Sequence, residues 1–436
     1  MLPPTPPFSA LPLQQDGPRG NAWGLYGEKD ELGMLNRLTP ETTLSASKEI
    51  VHGLRIPTDW PLNMPKVPCF GRQTFHQHIF EKETRVVNDD TLTFNTQSST
   101  QWDGFRHFGY QDHEVFFNGC KQEEIMTSTK NGTHVWVENG GVVGRGVLLD
   151  YAAWAESQGI TPALRETTEI IIQELEAVAT SQGVTFRPGD ILFIHCGFLK
   201  SLEQLPEEEA SAYAANIPPS AIGVKSCEES IRWIWEKQFA AVACDMPAFE
   251  ALPFQSTSHW MHEWLLAGWG MPIGELFDLD TLAKECARLK KWTFFFSSVP
   301  LHVQGGVASP PNGVAILLTS SLKEDKCVLP KAPDWQNYQA SVTTKNTSFD
   351  AIFDVRKELN SSVEEYRPCC LRKRGRDPPS ISPLPSCRRI RAQPLCFQSQ
   401  RRERHQIVLV GILTPDVRCA MGDMRYEMSD GRCIHN

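Results

Sequence analysis

The sequence lacks any long apolar run: no stretch of eighteen or more consecutive apolar residues occurs in its 436 residues. A helix needs about 20 such residues to cross a bilayer, so the sequence predicts no membrane-spanning helix. The N-terminal residues also lack a basic region followed by an apolar stretch, which is the pattern of a secretory signal. These absences predict a cytosolic protein without a membrane partner, in a compartment where thiols stay reduced.

Cysteine pairs with zinc-binding spacing are absent from the first 330 residues. The cysteines of this region stand singly, with no CxxC pair and no Cys/His cluster, which excludes a structural zinc module there. Cys196 and Cys244 lie in apolar, strand-like runs, where a free cysteine packs as a small hydrophobic residue. We therefore expect both to be structural.

Nucleotide-binding and serine-hydrolase motifs are missing as well. The glycines at 305–306 and 313 are not followed by Lys-Ser/Thr and a helix, as a phosphate-binding loop requires, and no Gly-x-Ser-x-Gly elbow occurs. Residues 367–436 carry 14 Lys and Arg against 6 Asp and Glu, whereas the whole chain has a net charge of −9. The rest of the chain is therefore acidic, which excludes nucleic acid as its expected partner and favours a small molecule.

Composition divides the chain into three parts. Residues 1–19 are rich in proline and are expected to be disordered, and residues 20–330 have the composition of one globular domain. Residues 331–436 combine arginine clusters, proline and little periodicity, so they are expected to be a disordered basic tail. A regulatory tail and a gene-model artefact remain open for this last part.

Strand-like and helix-like segments alternate between residues 140 and 320, which predicts an α/β domain. Ile191–His195 and Ala240–Asp245 are apolar without polar alternation, which is typical of strands buried on both faces. Thr39-Pro40-Glu41 has the residue types of a helix start, and Thr161-Pro162 is expected to open a helix that runs to about Gln182. Functional groups are expected where the buried strands end.

Side chains that can bind a metal recur closely between residues 97 and 107. They are Gln97, Gln101, Asp103 and His107. A metal site needs several donor atoms that converge from a rigid element, but glutamine and aspartate in a polar loop more often satisfy backbone groups. The spacing alone is therefore a weak indication of metal binding.

The segment Gln97-Ser-Ser-Thr-Gln-Trp-Asp-Gly-Phe-Arg-His107 resembles the signature of the cyclase-like superfamily, which includes bacterial-type kynurenine formamidase and isatin hydrolase. That signature reads His-x-Gly-Thr-His-x-Asp-x-Pro-x-His. Further stretches similar to the family follow in a consistent order at 23–41, 142–150, 188–197, 241–245, 262–275 and 300–317. The resemblance covers about residues 20–320 and implies a swivelling β/β/α fold with a mixed sheet and flanking helices.

The resemblance also implies roles for individual residues. Asp103 matches the carboxylate ligand of a divalent metal, and His107 matches the catalytic acid/base. His262 and Glu275 match a downstream pair of ligands, with His259 as an alternative to His262. Trp102, Phe105, Phe108 and Trp260 are candidates for an apolar wall against a flat substrate, although aromatic residues at such spacing are more often part of the core.

Gln97 and Gln101 depart from the signature, which has histidine at both positions. An amide oxygen is a harder and poorer ligand for zinc than imidazole, so three outcomes remain open: a site for Mn²⁺ or another hard ion, weak binding of Zn²⁺, or loss of the metal. We expect an altered but retained site. These two residues are then expected to complete a metal site with Asp103 and the downstream pair.

The expected function is metal-dependent hydrolysis of a C–N or lactone bond in a small aromatic molecule, of the formamidase or cyclic amidase type. A cyclase or dehydratase that uses His107 for proton transfer is one alternative. A small-molecule binding protein without catalytic activity is another, which the glutamines favour and which Asp103, His107 and Glu275 oppose. The resemblance further implies a homo-oligomer.

Overall fold

A mixed sheet of nine strands forms the centre of the part of the chain that the computed structural model describes, namely residues 2–50, 53–82 and 85–317. The predicted tail at 331–436 lies outside these residues. The strands are β1 (Leu54–Pro57), β2 (His76–Glu81), β3 (Asn88–Thr93), β4 (Gln101–Asp103), β5 (Val115–Phe116), β6 (Cys120–Lys121), β7 (Val142–Asp150), β8 (Glu169–Ile170), β9 (Ile191–His195), β10 (Gly223–Val224), β11 (Ala241–Cys244), β12 (Ile273–Glu275), β13 (Thr293–Ser298), β14 (Ala308–Ser309) and β15 (Val314–Leu317).

The helices flank this sheet. The α-helices are α1 (Pro40–Ala46), α2 (Gln122–Thr127), α3 (His134–Glu138), α4 (Tyr151–Ser157), α5 (Ile172–Gln182), α6 (Phe198–Glu203), α7 (Glu207–Ala214), α8 (Glu228–Lys237) and α9 (Asp280–Leu289), and a π-helix spans Glu263–Trp269. Among the described helices, none combines the length and the apolar character that crossing a membrane would take.

The main sheet has the order β1-β15-β13-β7-β9-β11-β12-β4-β14. Strands β7, β9, β11 and β12 run parallel to one another, whereas every other pairing in this sheet is antiparallel. Every residue of β9 and of β11 is buried, as is typical of parallel strands inside a sheet. The expected α/β fold with a mixed sheet is thus confirmed, as are the two buried strands.

Local sequence explains where the first helix begins. The side chain of Thr39 accepts a hydrogen bond from the backbone N–H of Thr42 at 3.2 Å, and Pro40 occupies the first helical position. This is the arrangement that the sequence predicts, since the cap satisfies a backbone donor that the helix leaves free. Helix α1 therefore begins as expected.

The helix expected from Thr161 to Gln182 forms only in its second half, from Ile172 onward. The backbone of the first half bonds to another segment instead: the carbonyls of Leu164 and Thr168 accept from the N–H groups of Ile222 and Gly223. Strand β8 then pairs with β10. Tertiary hydrogen bonds have replaced those of the predicted helical turns.

Residues 2–19 do not form the disordered segment that their proline content suggests. Phe8 is buried and stacks on Trp264 with ring centroids 5.8 Å apart, and the Pro6 carbonyl accepts a hydrogen bond from Trp235 Nε1 at 2.8 Å. Proline restricts the unfolded chain as well as the folded one, so ordering such a segment costs little entropy. Burial of Phe8 offsets part of that cost.

Candidate metal and catalytic site

Strand pairing brings together candidate site residues that are far apart in the sequence. Strand β4 lies between β12 and β14, and Gln101 of β4 is directly opposite Glu275 of β12. Because side chains alternate along a strand, Gln101 and Asp103 share one face while Trp102 points to the other. The candidate polar residues therefore converge on one side of the sheet, close to its edge.

The loop before β4 is fixed by its own hydrogen bonds. The Asn95 side chain accepts from the backbone N–H of Gln97 at 2.9 Å, and Ser98 Oγ donates to the Asn95 carbonyl at 2.8 Å. Arg72 Nη1 donates to the Gln97 carbonyl at 2.7 Å. These contacts hold Gln97 against the strand, so its side chain is positioned before any ligand binds.

Two carboxylates form the centre of the site, and both are fully buried. Gln97 Nε2 donates to Asp103 Oδ1 at 2.7 Å, and Gln101 Nε2 donates to Glu275 Oε2 at 2.7 Å. The remaining oxygens, Asp103 Oδ2 and Glu275 Oε1, are buried without a hydrogen bond of good geometry. Unpartnered buried carboxylate oxygens are costly, so this arrangement fits a cation-binding site.

Two histidines face these free oxygens. His262 Nε2 lies 3.9 Å from Asp103 Oδ2 and 3.2 Å from Glu275 Oε1, and His107 Nε2 lies 3.8 Å from Asp103 Oδ2. One ligand atom from each of Asp103, His107 and His262 falls within 4.8 Å of the others. The structure thus brings together Gln97, Gln101, Asp103, His107, His262 and Glu275, which the sequence singled out from distant positions.

Glu250 is a site residue that the sequence analysis missed. Its two carboxylate oxygens lie 3.0 and 2.9 Å from His262 Nδ1, so the Nδ1–H group donates to this carboxylate and Nε2 points towards Asp103 and Glu275. Glu250 is completely buried. The signal was available, because a single acid within the apolar run Pro-Ala-Phe-Glu-Ala-Leu-Pro must find a partner when it is buried.

The alternative histidine, His259, lies outside this cluster. Its ring stacks on Trp264, with centroids 6.2 Å apart, and its Nδ1 lies 3.2 Å from Ser258 Oγ. Its neighbours are therefore a hydroxyl and an aromatic ring, without a carboxylate at ligand distance among its described contacts. Of the two candidates, His262 is the one that faces Asp103.

Burial and charge shift the pKa values of the site in opposite directions. Burial lowers the pKa of His107 to about 4, although Asp103 opposes the shift. Burial and the charge of Asp103 raise the pKa of Glu275 to about 7. Burial alone would lower the pKa of His262, but Glu250 and Glu275 outweigh it and raise the pKa well above its ordinary value. His107 is consequently uncharged at neutral pH and able to accept a proton or a metal.

An aromatic cluster adjoins the histidines. The ring of Trp260 lies 4.9 Å from that of Phe108 and 4.6 Å from that of Phe254, and both phenylalanines lie within 6 Å of the His262 ring. All three are partly exposed, and Trp260 Nε1 is buried without a partner. A flat ligand could contact this wall and accept a hydrogen bond from the indole.

Two predicted members of that wall lie elsewhere. Trp102 is fully buried against Phe277, with ring centroids 5.0 Å apart, and Phe105 is fully buried against Phe117 and Trp136. Neither leaves surface for a substrate, so their assignment to the substrate wall is wrong. The alternation of β4 that directs Gln101 and Asp103 to the site sends Trp102 into the core.

The donor set fits a divalent cation. Carboxylate oxygens and imidazole nitrogens suit Mn²⁺ and Zn²⁺, and two buried oxygens lack any other partner. Glu250 supplies the carboxylate–histidine contact that commonly orients a metal-binding imidazole. Asp103, His262 and Glu275 would hold the ion, with His107 beside them.

Two comparisons with known proteins gave matches. Residues 44–251 match the family model described as "Putative cyclase". A solved structure described as a novel cyclase has 28% sequence identity to this chain and covers 68% of it and 99% of its own length, with a TM-score of 0.61. The structure of isatin hydrolase A from Labrenzia aggregata bound to benzyl benzoate has 14% sequence identity to this chain and a TM-score of 0.46. The match covers 65% of this chain and 99% of the isatin hydrolase chain. Among curated proteins, no match was found.

Proposed function

We propose that this chain, whose residues 44–251 match the family model described as "Putative cyclase", is a metal-dependent hydrolase that cleaves a C–N or lactone bond in a small aromatic molecule. One observation carries the proposal: Asp103 Oδ2 and Glu275 Oε1 are buried without a hydrogen bond of good geometry, and ligand atoms of Asp103, His107 and His262 lie within 4.8 Å of one another. This is what a centre for a Mn²⁺ or Zn²⁺ ion requires. The acidic charge of the chain outside residues 367–436 supports a small-molecule substrate over nucleic acid.

The bound ion would supply Lewis acidity to the substrate carbonyl and lower the pKa of a nearby water. His107 then acts as the general base: Nε2 takes a proton from the attacking water as its oxygen forms a bond to the carbonyl carbon. When the C–N or C–O bond breaks, the same imidazole returns this proton to the leaving nitrogen or oxygen. His107 is therefore neutral again at the end of the reaction, and the products are a carboxylic acid and an amine or alcohol.

Phe108, Phe254 and Trp260 support an aromatic substrate. Their rings form a continuous wall beside His262, where a flat molecule would gain contact area at little cost in entropy. The unpartnered Trp260 Nε1 is a donor that a ring carbonyl or formyl oxygen could satisfy. A linear aliphatic amide would leave most of this wall uncovered.

The test combines metal content with turnover. Full-length protein purified without chelators is expected to contain about one Mn or Zn per chain by elemental mass spectrometry, and to hydrolyse members of a panel of aryl formamides, cyclic aryl amides and aryl lactones. Asp103→Asn should lose both the ion and turnover, while Asp112→Asn, at an exposed position, should lose neither. Turnover that survives chelation and Asp103→Asn would overturn the proposal.

A further inference from the structure

Gln97 and Gln101 present amide N–H groups to the carboxylates of the site, and we propose that they restrict this centre to a single divalent ion. Each amide occupies one oxygen of a different carboxylate, Asp103 Oδ1 in one case and Glu275 Oε2 in the other, both at 2.7 Å. The inference rests on the proposed metal site, and it assigns both glutamines as positioning residues instead of the ligands expected from the sequence.

The two donors are held firmly in place. Gln101 is completely buried on β4, opposite its acceptor Glu275 on the paired strand β12. Gln97 lies in the loop that Asn95 and Arg72 fix through its backbone. Neither amide can turn away from its acceptor without breaking buried hydrogen bonds, so the donors belong to the resting arrangement of the site.

This arrangement leaves two carboxylate oxygens for a metal, and Gln101 Oε1 is a third buried oxygen without a hydrogen bond. Asp103 Oδ2 and Glu275 Oε1 both face His262 Nε2, at 3.9 and 3.2 Å, and these three atoms can surround one ion. The other two carboxylate oxygens face the amide nitrogens and carry hydrogen bonds already. A second ion would have to displace both donors, and each displaced N–H would then lie buried without an acceptor.

The charges of the site define what the two amides contribute. Asp103, Glu250 and Glu275 lie close together with almost no solvent exposure, and His262 contacts two of them directly. Charge-assisted hydrogen bonds from neutral amides stabilise the carboxylates without adding a positive charge. Imidazoles at positions 97 and 101 would instead place nitrogen atoms beside Asp103 Oδ1 and Glu275 Oε2. These nitrogen and oxygen atoms together would form a second set of metal ligands.

The test is metal stoichiometry. Full-length protein is stripped of metal, dialysed against Zn²⁺ alone and measured by elemental mass spectrometry. Unaltered protein is expected to hold one Zn²⁺ per chain, and the double variant Gln97→His/Gln101→His two. If the double variant holds one ion, only more tightly, the glutamine oxygens are ligands of the same ion and the proposal is overturned. Gln111→His, at an exposed glutamine, is the matched control and should stay at one.

A second double variant keeps the proposal testable if the histidine variant does not fold. Gln97→Glu/Gln101→Glu is nearly isosteric and turns both donors into acceptors, so it should take up two Mn²⁺ per chain where unaltered protein takes up one. A stoichiometry of one in this folded variant would also overturn the proposal. An unaltered protein that binds one ion but hydrolyses nothing would refute the proposed hydrolase and leave this inference standing, whereas absence of any ion would refute both.

Discussion

His107 is the residue on which the proposed chemistry depends. Burial lowers the pKa of its imidazole to about 4, so the ring is uncharged at neutral pH and can accept a proton from water. We expect His107→Gln to reduce kcat by about 10²–10⁴-fold, since this is the usual contribution of a general base. Steady-state kinetics on the best substrate of the panel measures this effect.

Metal content separates this role from a structural one. Zn²⁺ or Mn²⁺ per chain should stay at one in His107→Gln, because Asp103, His262 and Glu275 remain to hold the ion. The matched control is His113→Gln, which changes an exposed histidine six positions along the chain. If His107→Gln turns over substrate at the unaltered rate, the imidazole is not the base.

Glu250 acts on the site through His262. Its carboxylate receives the Nδ1–H of that ring, and this contact directs Nε2 towards Asp103. Carboxylates that orient a metal-binding histidine in this way commonly contribute about 10–100-fold to metal affinity. We therefore expect Glu250→Gln to weaken Zn²⁺ binding by about that factor, measured by competition with a chromogenic chelator.

The exposed Glu156 on α4 provides a control for Glu250. Glu156→Gln should bind Zn²⁺ with unaltered affinity. Glu250→Asp keeps a negatively charged acceptor for His262, so it should bind Zn²⁺ more tightly than Glu250→Gln does. Equal affinity in Glu250→Gln and in the unaltered protein would show that His262 is oriented without this carboxylate.

The sequence predicts the polar residues of the site better than its apolar ones. Asp103, His107, His262 and Glu275 are named by matching positions in a motif, and the structure places them together. The aromatic wall depends on which face of β4 each residue occupies and on a loop that brings Phe254 to Trp260. Such contacts arise from the tertiary structure, and local spacing does not encode them.

At the scale of elements, a second cluster joins the ends of two strands to a helix. His195, the last residue of β9, lies 2.9 Å through Nδ1 from Asp150 at the end of β7, and 3.0 Å through Nε2 from Asp280 at the start of α9. Burial alone would lower the pKa of His195, but the two carboxylates outweigh it and raise the pKa to about 10. The protonated ring therefore connects three elements.

This cluster predicts how stability depends on pH. The pKa of His195 is higher in the folded state than its ordinary value of 6.5, so its stabilising contribution is complete below about pH 6.5 and is lost as the pH rises through 10. The free energy of unfolding in urea should therefore fall between pH 7 and pH 10. In His195→Gln this fall should be smaller, because the titrating ring is gone.

The exposed His302 gives the comparison for this measurement. His302→Gln should keep the full decline in unfolding free energy over the same pH interval. A decline of equal size in His195→Gln would show that other groups are responsible and that the ring is not held protonated by Asp150 and Asp280.

Strands proved more predictable than helices in this chain. Runs such as Ile191–His195 are apolar throughout, and only a position buried on both faces suits them. The segment 161–171 has a good helix start, yet its backbone bonds to the neighbourhood of Gly223 instead. Propensity is a weak influence of less than about 1 kcal/mol per residue, and a set of tertiary hydrogen bonds outweighs it.

At the scale of the whole molecule, the strands β2 and β3 form a two-stranded sheet separate from the main one. All of their residues except Asp89 are exposed, including the apolar Ile79 and Leu92. Since Gln77 pairs with Leu92 and Ile79 with Asp90, Ile79 and Leu92 share one face of the hairpin. A lone two-stranded sheet is marginally stable in water and needs a further packing partner.

We expect a second copy of this chain to supply that partner, so that the protein is a homo-oligomer in which the hairpin face with Ile79 and Leu92 is covered. Size-exclusion chromatography with light scattering should give a dimer or tetramer, and Ile79→Lys/Leu92→Lys should shift it to the monomer, because buried lysines in the interface would lose their hydration. Thr91→Lys places one such charge on the opposite face of the hairpin, next to His78, and should leave the oligomer intact. A monomer in the unaltered protein, or an oligomer that tolerates both lysines, would show that the hairpin serves no such contact.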